Sequence, residues 1–101
     1  MTAELGRTTS PNGDRQRIDK WLVCARFVKT RGLAVRLVEG KRVRLNGRRI
    51  DRAHALVGPG DVLTLPLGRV VRVVRILALA ERRGPASEAR LLYEEIHEAA
   101  P

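Results

Sequence analysis

Residues 17–50 decide the fold of this chain, and they run RIDKWLVCARFVKTRGLAVRLVEGKRVRLNGRRI. In the first part of this stretch, four apolar residues recur at positions i, i+3, i+4 and i+7: Ile18, Trp21, Leu22 and Ala25. Residues at this spacing share one face of a helix. Asp19 lies in the predicted first turn, where a carboxylate interacts favourably with the helix dipole. The pattern predicts an amphipathic helix that packs its apolar face into a core.

A second helix is predicted a few residues later. Thr30 is a suitable N-cap because its hydroxyl can accept a hydrogen bond from the first turn. Gly40 is predicted to end the helix in a left-handed conformation. The predicted inward side carries four apolar residues: Leu33, Ala34, Leu37 and Val38. The short connection requires the two helices to pack as a close pair.

A β-hairpin is predicted directly after the helices. Asn46-Gly47 separates two short runs, Val43–Leu45 and Arg48–Ile50. Both positions of a two-residue hairpin turn need positive φ, which Asn and Gly adopt most readily.

The rest of the chain predicts a small sheet and a terminal helix. A turn at Gly58–Asp61 precedes a strand at Val62–Leu65, and a turn at Pro66–Arg69 precedes a longer strand at Val70–Leu79. Pro85 suits the first turn of a C-terminal helix. That helix is predicted to carry Ala89, Leu92 and Ile96. The sequence therefore predicts an α+β fold in which a helix pair and hairpin pack on a mostly antiparallel sheet of three or four strands.

The length of 101 residues allows one domain. We predict a disordered leader at 1–14, a folded domain at 15–80 and a C-terminal loop and helix extension at 81–101. The single cysteine, Cys24, excludes a disulfide within the chain, which fits a reducing cytoplasm. The chain contains no apolar run long enough for a membrane span and no secretory signal pattern, so we expect a cytoplasmic protein without membrane association.

The positive charge is concentrated in one part of the sequence. The whole chain has 20 Lys and Arg against 11 Asp and Glu, a net charge of +9. Residues 15–52 contain thirteen basic and three acidic residues, which gives this segment a net charge of +10. Because such charges repel one another, a polyanionic partner is the simplest explanation. Arg predominates over Lys, and guanidinium groups suit phosphates, so the composition favours nucleic acid.

The sequence offers little support for catalysis, a metal or a cofactor. Cys24 lies within the first predicted helix without a histidine nearby, so it is interpreted as a core residue. His54 and His97 lack the spacing of metal ligands. We therefore expect a protein that is not an enzyme and needs no cofactor or metal.

Several motifs in sequence order resemble a known RNA-binding domain, named after small-subunit ribosomal protein four (the S-four domain). They are Arg17–Leu22, Arg26, Lys29–Arg31, Ala34, Gly40, Val43, Asn46-Gly47 and Gly60-Asp61. A second block, Glu81–Ala89 with Leu91–Glu95, resembles the bacterial heat shock protein 15 family, whose members are stand-alone proteins of this class. The leader before Arg15 and the pair Val23-Cys24 depart from the family pattern without touching its basic residues.

The resemblance implies a helix–helix–hairpin surface that binds structured RNA. It further implies binding to ribosomal RNA of free large ribosomal subunits that carry a stalled nascent chain, which aids their recycling in translation quality control. We expect a monomer, with peptidyl-tRNA as a further candidate partner. Carried over residue by residue, it assigns RNA binding to Arg17, Lys20, Arg26, Lys29, Thr30, Arg31, Arg36, Lys41, Arg42, Arg44 and Arg48. Trp21 is assigned to the core rather than to base stacking. Two alternatives remain: a protein-interaction adaptor that uses the acidic C-terminal segment, and a regulator bound to another structured RNA.

Overall fold

The computed structural model describes residues 15–96 and has the predicted α+β architecture. A short strand, β1 (Gln16–Arg17), leads directly into helix α1 (Ile18–Cys24). The predicted apolar face of α1 is confirmed, because Ile18, Trp21 and Leu22 are all fully buried. The predicted leader at 1–14 lies outside the described residues.

Helix α2 (Arg31–Glu39) begins at the predicted N-cap, since the Thr30 hydroxyl accepts a hydrogen bond from the Leu33 N–H at 3.1 Å. Ala34 and Val38 are fully buried one turn apart. Leu33 was predicted to face inward, but it is 44% exposed. The helix buries a narrow stripe against α1, and Leu33 lies about 100° around the helix from Ala34.

The predicted left-handed stop at Gly40 is wrong. Gly40 has a right-handed φ of −68°, and its N–H continues the helical pattern by donating to the Arg36 carbonyl. Lys41 takes the left-handed conformation instead, with a φ of 65°. The chain therefore leaves the helix one residue later than predicted.

The predicted hairpin is confirmed. Strands β2 (Val43–Leu45) and β3 (Arg48–Ile50) pair antiparallel, and Asn46 and Gly47 have φ values of 53° and 85°. The Asn46 side chain also accepts a hydrogen bond from the Val62 N–H at 2.9 Å. This contact joins the hairpin turn to the next strand of the sheet.

The main sheet has five antiparallel strands. The chain continues from β3 through β4 (Leu56–Val57), β5 (Val62–Leu67) and β6 (Val70–Ile76) to β7 (Tyr93–Glu95), and the strand order in the sheet is β3-β2-β5-β6-β7. β4 lies outside this sheet and pairs with β1. Three of these strands, β1, β4 and β7, were not predicted.

Two predicted boundaries in the sheet are wrong. Pro66 was placed in a turn, but it lies within β5 opposite Val71. β2 pairs with β5 only at Leu63 and Thr64, so the strand is open on one side at Pro66 and the missing N–H costs nothing there. β6 ends at Ile76 rather than Leu79.

The C-terminal helix is present but short. α3 (Ala86–Ala89) is followed by a 3-10 turn, Arg90–Leu92, and then by β7. The prediction that Ile96 lies on this helix is wrong, because the chain becomes extended at Tyr93 and pairs with β6. The edge of β6 accepts this segment as a strand, which local sequence preference does not indicate.

The core lies between the helix pair and one face of the main sheet. Its fully buried apolar side chains are Ile18, Trp21, Leu22, Ala34, Val38, Val43, Val57, Leu63, Leu65, Val74 and Ile76. Trp21 also donates its indole N–H to the Ala78 carbonyl at 3.0 Å. Among the described residues, no helix is long and apolar enough to cross a membrane.

Candidate nucleic-acid interface

A basic groove, which we call the α1–α2 groove, lies where β1 and the starts of α1 and α2 meet the segment that follows β6. It has a volume of about 390 Å³, and its lining residues are Arg15, Gln16, Arg17, Lys20, Arg31, Leu79, Ala80 and Glu81. Four of these residues are cations. The only acidic residue among them, Glu81, lies 3.9 Å from the Lys20 ammonium. The groove therefore presents a positive surface of a size that suits a phosphate group and its sugar.

A buried carboxylate fixes two of the arginines in this groove. Asp19 is 1% exposed. The Arg17 guanidinium donates side-on to both carboxylate oxygens, at 3.1 Å from Nε and 2.8 Å from Nη2. Arg31 donates from Nη2 to Oδ2 at 3.5 Å. One carboxylate thus joins the beginnings of both helices.

A second concave basic surface, which we call the hairpin patch, lies after the end of α2. It has a volume of about 370 Å³ and is lined by Lys41, Arg42, Arg44 and Arg49. Arg44 and Arg49 stand directly opposite each other on β2 and β3. Within residues 15–96, none of these four cations forms an ion pair with an acidic side chain.

The structure brings six of the predicted RNA-binding residues together in two groups. Arg17, Lys20 and Arg31 share the α1–α2 groove, and Lys41, Arg42 and Arg44 share the hairpin patch. α2 spans the distance between the groups, about 13 Å along the axis of its nine residues.

The other predicted residues lie outside both surfaces. The side chain of Arg26 donates to the Gly84 carbonyl at 2.7 Å, toward the C-terminal segment. Thr30 uses its hydroxyl to cap α2. Lys29, Arg36 and Arg48 are exposed but line neither the groove nor the patch.

Sequence reasoning missed Arg15, Gln16, Asp19 and Arg49 as site residues. Arg49 could have been predicted from the sequence. A two-residue turn at Asn46-Gly47 places Arg49 directly opposite Arg44, which was predicted to bind RNA. Arg15 and Gln16 reach the groove through the pairing of β1 with β4, which the sequence did not indicate.

Trp21 and Cys24 are buried in the core, as predicted. Trp21 is fully buried, and Tyr93 packs against Phe27 with ring centroids 4.7 Å apart. Burial raises the pKa of the Cys24 thiol, so this group stays protonated at neutral pH. No cluster of three or more His, Cys, Asp or Glu residues suited to a metal ion occurs in the described part of the chain.

Comparisons with known proteins agree with this architecture. The S4 domain family model matches residues 16–63, which include both helices, the hairpin and the beginning of β5. The fold and the basic surfaces thus define a protein of the S4 domain class.

The relatives are more specific. Heat shock protein 15 of Escherichia coli K12 is 48% identical over 83 residues, which cover 82% of this chain and 62% of that protein. The Haemophilus influenzae homolog is 40% identical over 79 residues, covering 78% of this chain and 60% of that protein. The trimeric structure of Vibrio cholerae heat shock protein 15 matches with a TM-score of 0.77 and 40% identity, covering 82% of this chain and 83% of that one. The chain belongs to the heat shock protein 15 family, and it spans less than two thirds of the length of its curated relatives.

Proposed function

We propose that this protein binds structured RNA without catalysing a reaction on it. The observation that carries the proposal is the pair of cation-lined surfaces at the two ends of α2. In the hairpin patch Arg44 and Arg49 face each other directly, an arrangement that destabilises a free sheet. A row of phosphates would neutralise this repulsion.

The groups on these surfaces suit the phosphate backbone better than base edges. Guanidinium groups bind phosphate oxygens in a bidentate manner. Trp21, which would be the best platform for stacking on a base, is fully buried. Double-stranded regions of RNA are recognised mostly by their shape and by contacts to phosphates and 2′-hydroxyls, because their major groove is too narrow for side chains.

Membership in the S4 domain class and the heat shock protein 15 family supports RNA as the ligand. We further propose ribosomal RNA of the free large subunit as the target, in the state in which the subunit still holds a nascent chain on a tRNA. Binding there would aid recycling of the subunit in the cytoplasm. A monomer suffices for this role, since one chain carries both basic surfaces.

Sedimentation of a cell lysate through a sucrose gradient tests the ribosomal target. We expect the full-length protein to migrate with free large subunits at low salt and to leave them as the salt concentration rises. Puromycin, which releases nascent chains, should reduce the comigrating fraction. Absence of the protein from all ribosomal fractions at low salt would contradict the ribosomal target. It would favour another structured RNA or a protein partner.

A further inference from the structure

We infer that Asp19 is a positioning residue, which holds Arg17 and Arg31 in the geometry with which the α1–α2 groove grips an RNA phosphate. This inference rests on the proposed RNA binding and names the group that organises its site. Asp19 itself, buried behind the two arginines, does not touch the RNA.

The Asp19 carboxylate is fully engaged by groups on both helices. Oδ1 accepts from Arg17 Nε at 3.1 Å and from the Lys20 N–H at 2.7 Å. Oδ2 accepts from Arg17 Nη2 at 2.8 Å and from Arg31 Nη2 at 3.5 Å. Burying a carboxylate is costly unless it is paired and hydrogen-bonded in this way.

The carboxylate is also held rigidly in the fold. The Asp19 N–H donates to the Ala53 carbonyl at 3.2 Å, and the Ile18 N–H donates to the Ala55 carbonyl at 2.8 Å. The pairing of Arg17 with Leu56 between β1 and β4 fixes the backbone of Arg17, which precedes Ile18. Asp19 therefore offers a fixed anchor for two long side chains.

Both arginines keep donors available beyond the anchor. Their side chains remain about half exposed, at 49% for Arg17 and 53% for Arg31. Within residues 15–96, Arg17 uses only Nε and Nη2 in hydrogen bonds, and Arg31 uses only Nη2. A free arginine loses rotamer entropy when it binds a phosphate, and a guanidinium already fixed by Asp19 loses less.

The direction in which RNA affinity changes when Asp19 is neutralised separates a positioning role from a purely electrostatic one. An acidic group beside an RNA site repels phosphate, so its neutralisation should strengthen binding if charge alone matters. Glu81 provides the matched control, because it lines the same groove, its side chain is 97% exposed, and its one ion pair within residues 15–96 is with Lys20, at 3.9 Å.

The experiment compares D19N and E81Q in the full-length protein, with binding of a fluorescently labelled RNA stem–loop measured by anisotropy. Both variants lose one negative charge, so the net charge of each rises by one. We expect E81Q to bind more tightly and D19N to bind about tenfold more weakly, a change of about 1.4 kcal/mol. Wild-type affinity or tighter binding in D19N would overturn the inference and leave the proposed function intact. Failure of the wild-type protein to bind the stem–loop, or any other structured RNA, would overturn the proposed function itself.

A second set of variants separates positioning from folding. R17K/R31K keeps Asp19 and the net charge, but a lysine ammonium cannot bind a carboxylate side-on. We expect R17K/R31K to weaken binding several-fold with an unchanged salt dependence, and wild-type affinity would overturn the inference. In an R17A/R31A background, D19N should no longer weaken binding. An equal loss in both backgrounds would assign Asp19 a purely structural role and overturn the inference.

Discussion

At the scale of single residues, the RNA binding proposed for the hairpin patch conflicts with the stability of the sheet. Arg44 and Arg49 are exposed and directly opposite across β2 and β3. Like charges at such a position lower the stability of a sheet. The fold tolerates this arrangement, and under the proposed function the phosphates of a bound RNA would offset the repulsion.

Replacing these two arginines should therefore change stability and binding in opposite directions. In R44T/R49T, which keeps residues suited to strands, we expect the free energy of unfolding to rise by a few tenths to about 1 kcal/mol. We expect affinity for an RNA stem–loop to fall about tenfold or more. Urea denaturation and fluorescence anisotropy measure the two effects.

The matched control is R69A/R90A, which removes two exposed arginines that line neither basic surface. It should weaken RNA binding much less than R44T/R49T does. An equal loss of affinity in both variants would mean that only net charge matters.

At the scale of secondary structure, the sequence predicted the elements that local chemistry determines. The Asn46-Gly47 turn and the Thr30 cap are both present as predicted, because each depends on a few adjacent residues. The elements that depend on distant partners were missed or misplaced. Tyr93–Glu95 forms a strand only because β6 offers an edge, and β1 exists only through β4.

The candidate site shows the same contrast between what could and what could not be predicted from the sequence. Six of the eight cations of the groove and the patch were assigned from the family resemblance, within a segment, residues 15–52, that contains thirteen basic residues, whereas Arg15 and Arg49 were missed. The separation of these cations into two surfaces depends on tertiary packing. The role of Asp19 requires Arg31, twelve residues away, to return to the same carboxylate. From the sequence alone, Asp19 was predicted only to lie in the first turn of a helix and to interact with the helix dipole.

The Thr30 cap gives a test at the level of one element. In T30A the Leu33 N–H loses its acceptor at the start of α2, and we expect the free energy of unfolding to fall by about 1 kcal/mol. T30S, which keeps the hydroxyl, should remain close to wild type. Chemical denaturation followed by circular dichroism measures both. A T30A protein as stable as wild type would show that the cap contributes little to α2.

At the scale of the whole molecule, the charge is divided unequally. Residues 15–52 carry a net charge of +10, more than the +9 of the complete chain. Farther along the chain, two arginines of β6 form ion pairs with acidic side chains of β7: Arg72 with Glu95, and Arg75 with Glu94. Within residues 15–96, the segment with the helix pair and the hairpin therefore holds most of the cations that have no acidic partner, and four of them form the hairpin patch.

The most direct measurement of the central claim is the salt dependence of RNA affinity. If the two basic surfaces together contact about six phosphates, the logarithm of the affinity should fall with the logarithm of salt concentration with a slope of roughly −4 to −5. Affinity should accordingly drop by about three orders of magnitude between low and physiological salt. R44T/R49T should make the slope shallower by about one to two. A slope near zero in the wild-type protein, or one that R44T/R49T leaves unchanged, would contradict the account.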